Sequence, residues 1–397
     1  MPLRNILILI GCQLISATGA IIMVTLGGII GSQLAEDPTL ATLPVSIMVL
    51  CMAASAVPAT MLMRRIGRRK GFSLASLSAA LGIGIAGSAL AIQSFWLFML
   101  AGAVFGINMA FTQQYRYAAA ESVPAEHSPR AISYVLLGAI GGALVGPELV
   151  KYGQFAIPSV QYLGTLVVLA VLYVVQAVMF RTLGPLRGEG PDATPHGGRP
   201  VAEIVRQPVF LVAVLGGATA YGVMTFIMTA TPLSMHVHDG FALEEMAQVI
   251  RSHVLGMYVP SLFAGHLIQR FGVIRMMTIG AIGLVGACLV GLNGQSYMHY
   301  WYALVLLGVG WNFLYVGATT MVTLSYELSE RFRAQAVNEF CIFGTSAAGS
   351  LLAGTIIHLY GWYTLVVVPL PMLAVAALSL FLVRRDPLVA RPRAAAA

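Results

Sequence analysis

The sequence predicts an all-α integral membrane protein with twelve transmembrane helices arranged as two six-helix halves. Three observations predict it. The chain has 397 residues, of which 58% are hydrophobic and only 9% charged, against about 25% charged in an average soluble domain. A soluble fold of this length cannot hide so much apolar surface, whereas a bilayer solvates the outer faces of its helices. Apolar runs long enough to cross a bilayer occur twelve times, and basic residues concentrate in alternate loops.

The first span follows a short N-terminus, Met1 to Asn5, and continues to about Ile30. It is longer than the apolar core of a signal peptide, so it reads as an uncleaved span. The first six spans fall at 6–31, 44–63, 72–92, 95–119, 131–150 and 158–182. The next six fall at 207–232, 246–268, 274–293, 299–323, 336–358 and 362–383. The longest polar interruption is the Gly- and Pro-rich stretch at the centre. The expected organisation is a six-helix half over 1–182, a cytoplasmic central loop over 183–206, a second half over 207–384 and a cytoplasmic tail over 385–397.

Orientation follows from the loops. Arg64, Arg65, Arg68, Arg69 and Lys70 join spans two and three, and Arg130 lies between four and five. Arg187 and Arg199 lie between six and seven, Arg270 and Arg275 between eight and nine, and Arg331 and Arg333 between ten and eleven. The tail adds Arg384, Arg385, Arg391 and Arg393, while the opposite loops offer only Lys151 and Arg251. Both termini are therefore expected in the cytoplasm. The net charge of +7 is an orientation signal and not a nucleic-acid surface, and no nucleic-acid partner is expected; the partner common to every span is the lipid bilayer. Cys12, Cys51, Cys288 and Cys341 lie in apolar runs without pairing, which fits neither a disulfide framework nor a zinc site. There is no Walker loop, nucleophile elbow or pair of catalytic carboxylates, so no enzyme and no cofactor is expected.

The halves look related. Arg65-Ile66-Gly67 in the second loop has a counterpart in Arg270-Phe271-Gly272, and Asn108 has one in Asn312. The segment from Thr60 to Arg69 resembles the major facilitator signature GxxxDRxGRR, with Thr60 in place of the glycine and Arg64 in place of the acid. The second-half copy, Gly265 to Gly272, keeps the glycine and has Gln269 for the acid; Gly142, Gly146 and Pro147 resemble the glycine–proline motif of the fifth helix. The resemblance covers essentially the whole chain. It implies the major facilitator fold and transport by alternating access about a central site.

The chemistry-bearing stretch is in spans seven and eight. Met224 and Met228 are four residues apart, as are His253 and Met257, so each pair shares a helix face. A rise of about 1.5 Å per residue puts Met228 and Met224 roughly 6 and 12 Å below the outer boundary, and His253 and Met257 about 10 and 16 Å below it. Half of a hydrocarbon core is about 15 Å. If the two faces meet, the four groups form a ladder from the outer face to the midplane. Thioether and neutral imidazole suit Cu(I), and as neutral ligands they avoid the cost of a buried charge. The other reading is packing: the chain has 19 methionines, and Met fills cores readily. The stretch also resembles the copper importers of the CcoA type, defined by MxxxM on helix seven and HxxxM on helix eight. That resemblance implies import of copper as transported substrate, supply to cytochrome oxidase assembly, and copper chaperones on either side. The alternative is a facilitator carrying a small organic solute, such as riboflavin or a drug-like compound, on the aromatic and amide residues of the same cavity.

Weaker candidates for ion contact are Met23, Met48 and Met52, with Cys51, and the outer-mouth residues His236 and His238. Gln113, Gln114, Tyr115 and Arg116 are candidates to line the cavity, with Glu121 within pairing reach of Arg116. No carboxylate is evident at the midplane of the second half, so an acidic proton relay is not expected there.

Overall fold

The computed structural model describes residues 3–36, 40, 43–187 and 198–390. Most of the central loop, together with Arg391 and Arg393 of the tail, lies outside the described residues. The chain divides into two compact units, Met1–Ser122 with Val135–Pro191, and Val123–Tyr134 with Asp192–Ala397. All regular structure among the described residues is helical.

In the first unit the helices are α1 (Leu3–Leu34), α2 (Leu43–Ile66), α3 (Arg68–Ala91), α4 (Phe95–Thr112), α5 (Tyr115–Glu121), α6 (Ser128–Gly153, its start belonging to the second unit) and α7 (Leu163–Arg181). The α4 N-terminus is capped by Ser94, whose hydroxyl accepts a hydrogen bond from the Leu97 N–H at 3.3 Å. Helix α4 packs on α2 and α3, and α3 on α7. The apolar core between them includes Ile22, Leu26, Phe98, Phe105, Leu166 and Tyr173.

In the second unit α8 (Val201–Val205) precedes α9 (Pro208–Pro232), which runs on into a π-helical turn at Leu233–His238. Then come α10 (Leu243–Tyr258), α11 (Ser261–Phe271), α12 (Val273–Leu292), α13 (Tyr297–Leu324), α14 (Arg331–Val367), α15 (Leu370–Val383) and α16 (Pro387–Ala390). Helix α13 is the hub: α9, α10 and α12 all pack against it.

Among the described residues ten helical runs are long and apolar enough to cross a membrane, and they contain eleven of the twelve expected spans, all but the eighth. The eighth span is split into α10 and α11 of 16 and 11 residues, because Pro260 has no N–H to continue the ladder. Spans eleven and twelve merge into one run, Arg331–Val383. Gly361, at φ 74°, is the turn between them; only glycine takes that conformation without strain. The fourth span is likewise interrupted, at Gln113 and Gln114, between α4 and α5.

The related loop motifs have one backbone geometry. Gly67 sits between α2 and α3 at φ 82°, ψ 158°, and Gly272 between α11 and α12 at φ 88°, ψ 152°. A side chain at either position would be strained. The basic residue after Gly67 does more than orient the chain. Arg68 is fully buried, and its Nε and Nη2 donate to the two carboxylate oxygens of Glu121 at 2.7 Å each. Its Nη1 donates to Gln114 Oε1 at 3.3 Å. This bidentate pair ties α3 to α5. Removing one member breaks a buried ion pair, which costs about 3–5 kcal/mol. Arg68→Met alone is therefore expected to lower the unfolding midpoint of the purified protein strongly, and Arg68→Met with Glu121→Leu to recover much of the loss. A double variant no more stable than the single would contradict this account.

In the second unit the chain leaving the central loop is pinned by Arg199. Its backbone N–H and its Nε donate to Glu330 Oε1 at 2.7 and 2.8 Å, and its Nη2 donates to Oε2 at 2.7 Å. The Arg199 guanidinium holds the Glu330 carboxyl at about 2 against the opposing effect of burial, where an ordinary glutamate titrates at about 4.3. A depressed carboxyl stabilises the fold above its unfolded value, and that contribution is lost as pH falls toward the folded one. Between about pH 4.3 and 2, wild type is expected to lose more thermal stability than Glu330→Gln in detergent solution. Equal losses would mean the pair does not couple to folding.

Candidate functional site

All four residues of the expected ladder lie in the second unit. Met224 is buried on α9 and Met228 half-buried. His253 is fully buried on α10, and Met257, one turn on, is buried as well. Helix α9 packs on α13 and α14, and α10 packs on α13. The two motif-bearing helices are thus joined through α13 rather than by a packed face of their own.

Helix α10 approaches α13 at Gly308, where a Cβ would lie 2.5 Å from the His253 carbonyl oxygen and 2.8 Å from the Met257 nitrogen. That closeness brings His253 Nδ1 within 2.8 Å of the Leu304 carbonyl oxygen. A carbonyl only accepts, so Nδ1 carries the proton in this bond. In the neutral ring Nε2 then presents its lone pair, and among the described residues it has no hydrogen-bond partner. Asn312 of α13 donates to the Met257 carbonyl oxygen at 2.7 Å and to Ser261 Oγ at 2.6 Å. These bonds fix the break between α10 and α11.

What α9, α10, α13 and α14 do bring together is an aromatic cluster. Trp311 and Tyr315, one turn apart on α13, stack with ring centroids 4.8 Å apart and planes 24° apart. Tyr221 of α9 meets Trp311 edge-on at 5.3 Å, Tyr315 at 4.9 Å and Phe343 of α14 at 5.4 Å. Tyr258 of α10 meets Trp311 edge-on at 5.8 Å. Trp311 and Phe343 are buried, whereas Tyr221 and Tyr258 are half-buried and form the accessible side. The Trp311 Nε1–H is buried without an acceptor among the described residues, an unmet donor that a polar planar ligand could satisfy.

The sequence reading passed over these rings, although Tyr221 lies one turn from Met224 and Tyr258 is next to Met257. It also passed over Glu339. This carboxylate is buried on α14, 8 residues from Arg331 at the helix start, or roughly 12 Å along the axis. It accepts a hydrogen bond from Asn338 Nδ2 at 2.9 Å, one turn before Phe343. It stands near the start of the expected eleventh span, 336–358, short of its middle, and so leaves the expectation of no carboxylate at the midplane as it was.

In the first unit Met23 and Met48 belong to the apolar core, and Met52 is buried. Cys51 is half-buried. His238 is exposed, and the side chain of His236 lies outside the described part. Gln114 serves the Arg68 pair. The Tyr115 hydroxyl accepts from Gln176 Nε2 at 2.7 Å, and the same amide donates to Ser16 Oγ at 3.0 Å. Arg116 donates to Gln113 Oε1 and the Tyr117 hydroxyl, both at 3.3 Å. Glu121 pairs with Arg68.

The sequence profile of the Major Facilitator Superfamily matches residues 8–250 and 240–397. The chain belongs to this superfamily. A riboflavin transporter of Brucella anthropi, RfnT, is 38% identical over 380 residues, which cover 96% of this chain and 95% of that protein. An uncharacterised MFS-type transporter of Bacillus subtilis, YdeG, is 29% identical over 89% of this chain and 86% of that one. Among solved structures, the facilitator FucP in its outward conformation matches with a TM-score of 0.74 at 14% identity, over 95% of this chain and 98% of that one. The human organic anion transporter MFSD10 matches with a TM-score of 0.75 at 14% identity, over 96% of this chain and all of the other. At such identities the structures speak to the fold. The chain is thus a multi-pass secondary transporter of the facilitator type and not an enzyme.

Proposed function

We propose that this facilitator carries a small planar organic solute of the riboflavin type across the bacterial inner membrane. The observation that carries the proposal is the 38% identity to RfnT over nearly the full length of both chains. The aromatic cluster fits it. A flavin is a flat tricyclic ring with carbonyl and imide edges, and aromatic rings prefer offset-stacked or edge-to-face contacts. Tyr221 and Tyr258 offer ring surface from two helices, and the Trp311 Nε1–H offers a donor for a ring carbonyl. Cu(I) import is the second reading, favoured by the free Nε2 lone pair of His253 one turn from Met257. No relative described above is named for copper.

Uptake of labelled riboflavin and of copper in cells lacking their own carriers separates the two. Each lost aromatic contact is worth about 0.5–1.5 kcal/mol, so Tyr221→Ala and Tyr258→Ala are expected to lower riboflavin uptake roughly two- to tenfold each. Met224→Leu with Met257→Leu keeps volume and should leave riboflavin uptake near wild type. Copper uptake that vanishes in the methionine variant, with no riboflavin uptake in wild type, would instead establish the metal reading.

The proposal includes the orientation given by the basic loops, with both termini in the cytoplasm. With the native cysteines replaced, an impermeant thiol reagent outside intact cells should label a cysteine at Ala242 and spare one at Lys70, both exposed positions. The reverse pattern would invert the topology.

A further inference from the structure

The second unit contains a large open cavity whose lining includes none of the aromatic cluster. Its volume is about 1850 Å³, and it is walled by the start of α6, the α11–α12 junction and the end of α15 with α16. Five guanidinium groups line it: Arg130, Arg270, Arg275, Arg384 and Arg385. The one acid in its lining is Glu126, and the Glu126 backbone carbonyl accepts a hydrogen bond from Gln269 Nε2. Among the described residues none of the five guanidinium groups has a carboxylate partner.

The cavity is not simply polar. Phe271, Ile279, Phe381 and Leu388 also line it, and all four are exposed. Arg384 lies 3.5 Å over the Phe381 ring and Arg270 5.4 Å over the Phe271 ring, so two of the charges are held on the apolar wall itself. All five arginines sit near or just beyond helix ends, where the ends of membrane helices meet lipid headgroups. Uncompensated arginines beside exposed apolar surface match a molecule with a phosphate at one end and hydrocarbon at the other.

We propose that this cavity is a binding site for an anionic phospholipid, with the phosphate diester among the arginines and the acyl chains along Phe271, Ile279, Phe381 and Leu388. A soluble phosphate compound would share the arginine chemistry but would leave the apolar wall unused. A basic residue near an anionic lipid surface is worth about 1 kcal/mol, so even two engaged arginines should give selectivity over a zwitterionic lipid of at least roughly tenfold.

The test is lipid binding to the purified full chain in detergent, followed by native mass spectrometry. The probes are phosphatidylglycerol, phosphatidylcholine of the same acyl chains, and inorganic phosphate. Wild type is expected to retain phosphatidylglycerol at least roughly tenfold better than phosphatidylcholine, and inorganic phosphate should not displace it. Arg270→Gln/Arg384→Gln/Arg385→Gln should lose most of that preference, whereas Arg206→Gln, an exposed charge outside the cavity, should keep it. Phe381→Ser/Leu388→Ser keeps every charge and should weaken retention of the lipid; it carries the test if the arginine variant does not elute as a folded species. Equal retention of the two lipids by wild type, or undiminished preference in the folded cavity variants, overturns the proposal. Displacement of the lipid by inorganic phosphate overturns the lipid reading in favour of a soluble anion.

Discussion

Helix α13 lies against its neighbours with backbone nearly touching backbone, and the second unit takes its arrangement from that contact. At Gly308 the neighbour is α10, and at Gly310 it is α12, where a Cβ would lie 2.7 Å from the Leu284 nitrogen and 2.8 Å from the Gly280 oxygen. Lipid tails are as apolar as any core side chain, so the hydrophobic effect does little to bring two helices together inside a bilayer. Packing and hydrogen bonds must do it, and both need close approach. Small residues on α13 permit that approach, which sets the distance from His253 Nδ1 to the Leu304 carbonyl and from Asn312 to the Met257 carbonyl. It also leaves Trp311 and Tyr315 facing Tyr221 and Tyr258. The aromatic cluster is therefore a consequence of the glycines as much as of the rings.

The same absence of water governs the polar groups. An ionised side chain within a span is costly unless paired, and the first unit meets this with the bidentate Arg68–Glu121 contact. The facilitator signature keeps Gly67 and Arg68 here while departing at Thr60 and Arg64. The structure accounts for the retained pair: Gly67 supplies a positive φ and Arg68 a buried cation for α5. Thr60 is buried and its hydroxyl donates to the Val57 carbonyl within α2 at 2.8 Å, a local use that needs nothing from the rest of the motif. Arg64 is exposed.

Apolar periodicity made the spans legible because a bilayer sets their length, and two of the departures in the structure trace to single residues. Pro260 divides the eighth span, and Gly361 turns the eleventh into the twelfth inside one helical run. The loop glycines were legible as a repeat, since Gly67 and Gly272 share a conformation that few residues adopt. Less of the site could be read. Spacing along one helix tells which residues share a face, which is why Met224 with Met228 and His253 with Met257 stood out. It says nothing of which face of which helix meets another. The convergence of Tyr221, Tyr258, Trp311 and Phe343 depends on four helices far apart in sequence, and no pattern within any one of them announces it.

The donor set around α10 shows why sequence chemistry pointed to a soft metal although one relative, RfnT, is a riboflavin transporter. With Nδ1 donating to Leu304, the neutral ring of His253 is an acceptor through Nε2. That is the form a Cu(I) ligand needs, and it is equally the form that accepts a hydrogen bond from an imide N–H. A thioether is a weak acceptor and an adaptable apolar contact, so Met224 and Met257 also suit either cargo. What differs is the rest of the shell. A Cu(I) ion needs two or three of these atoms within bonding distance of one point, whereas a flat organic ring needs surfaces spread over its width. Tyr221 on α9 and Tyr258 on α10 both edge onto Trp311, from helices that each pack on α13. Such spacing spreads contacts instead of gathering them, which suits a ring better than an ion.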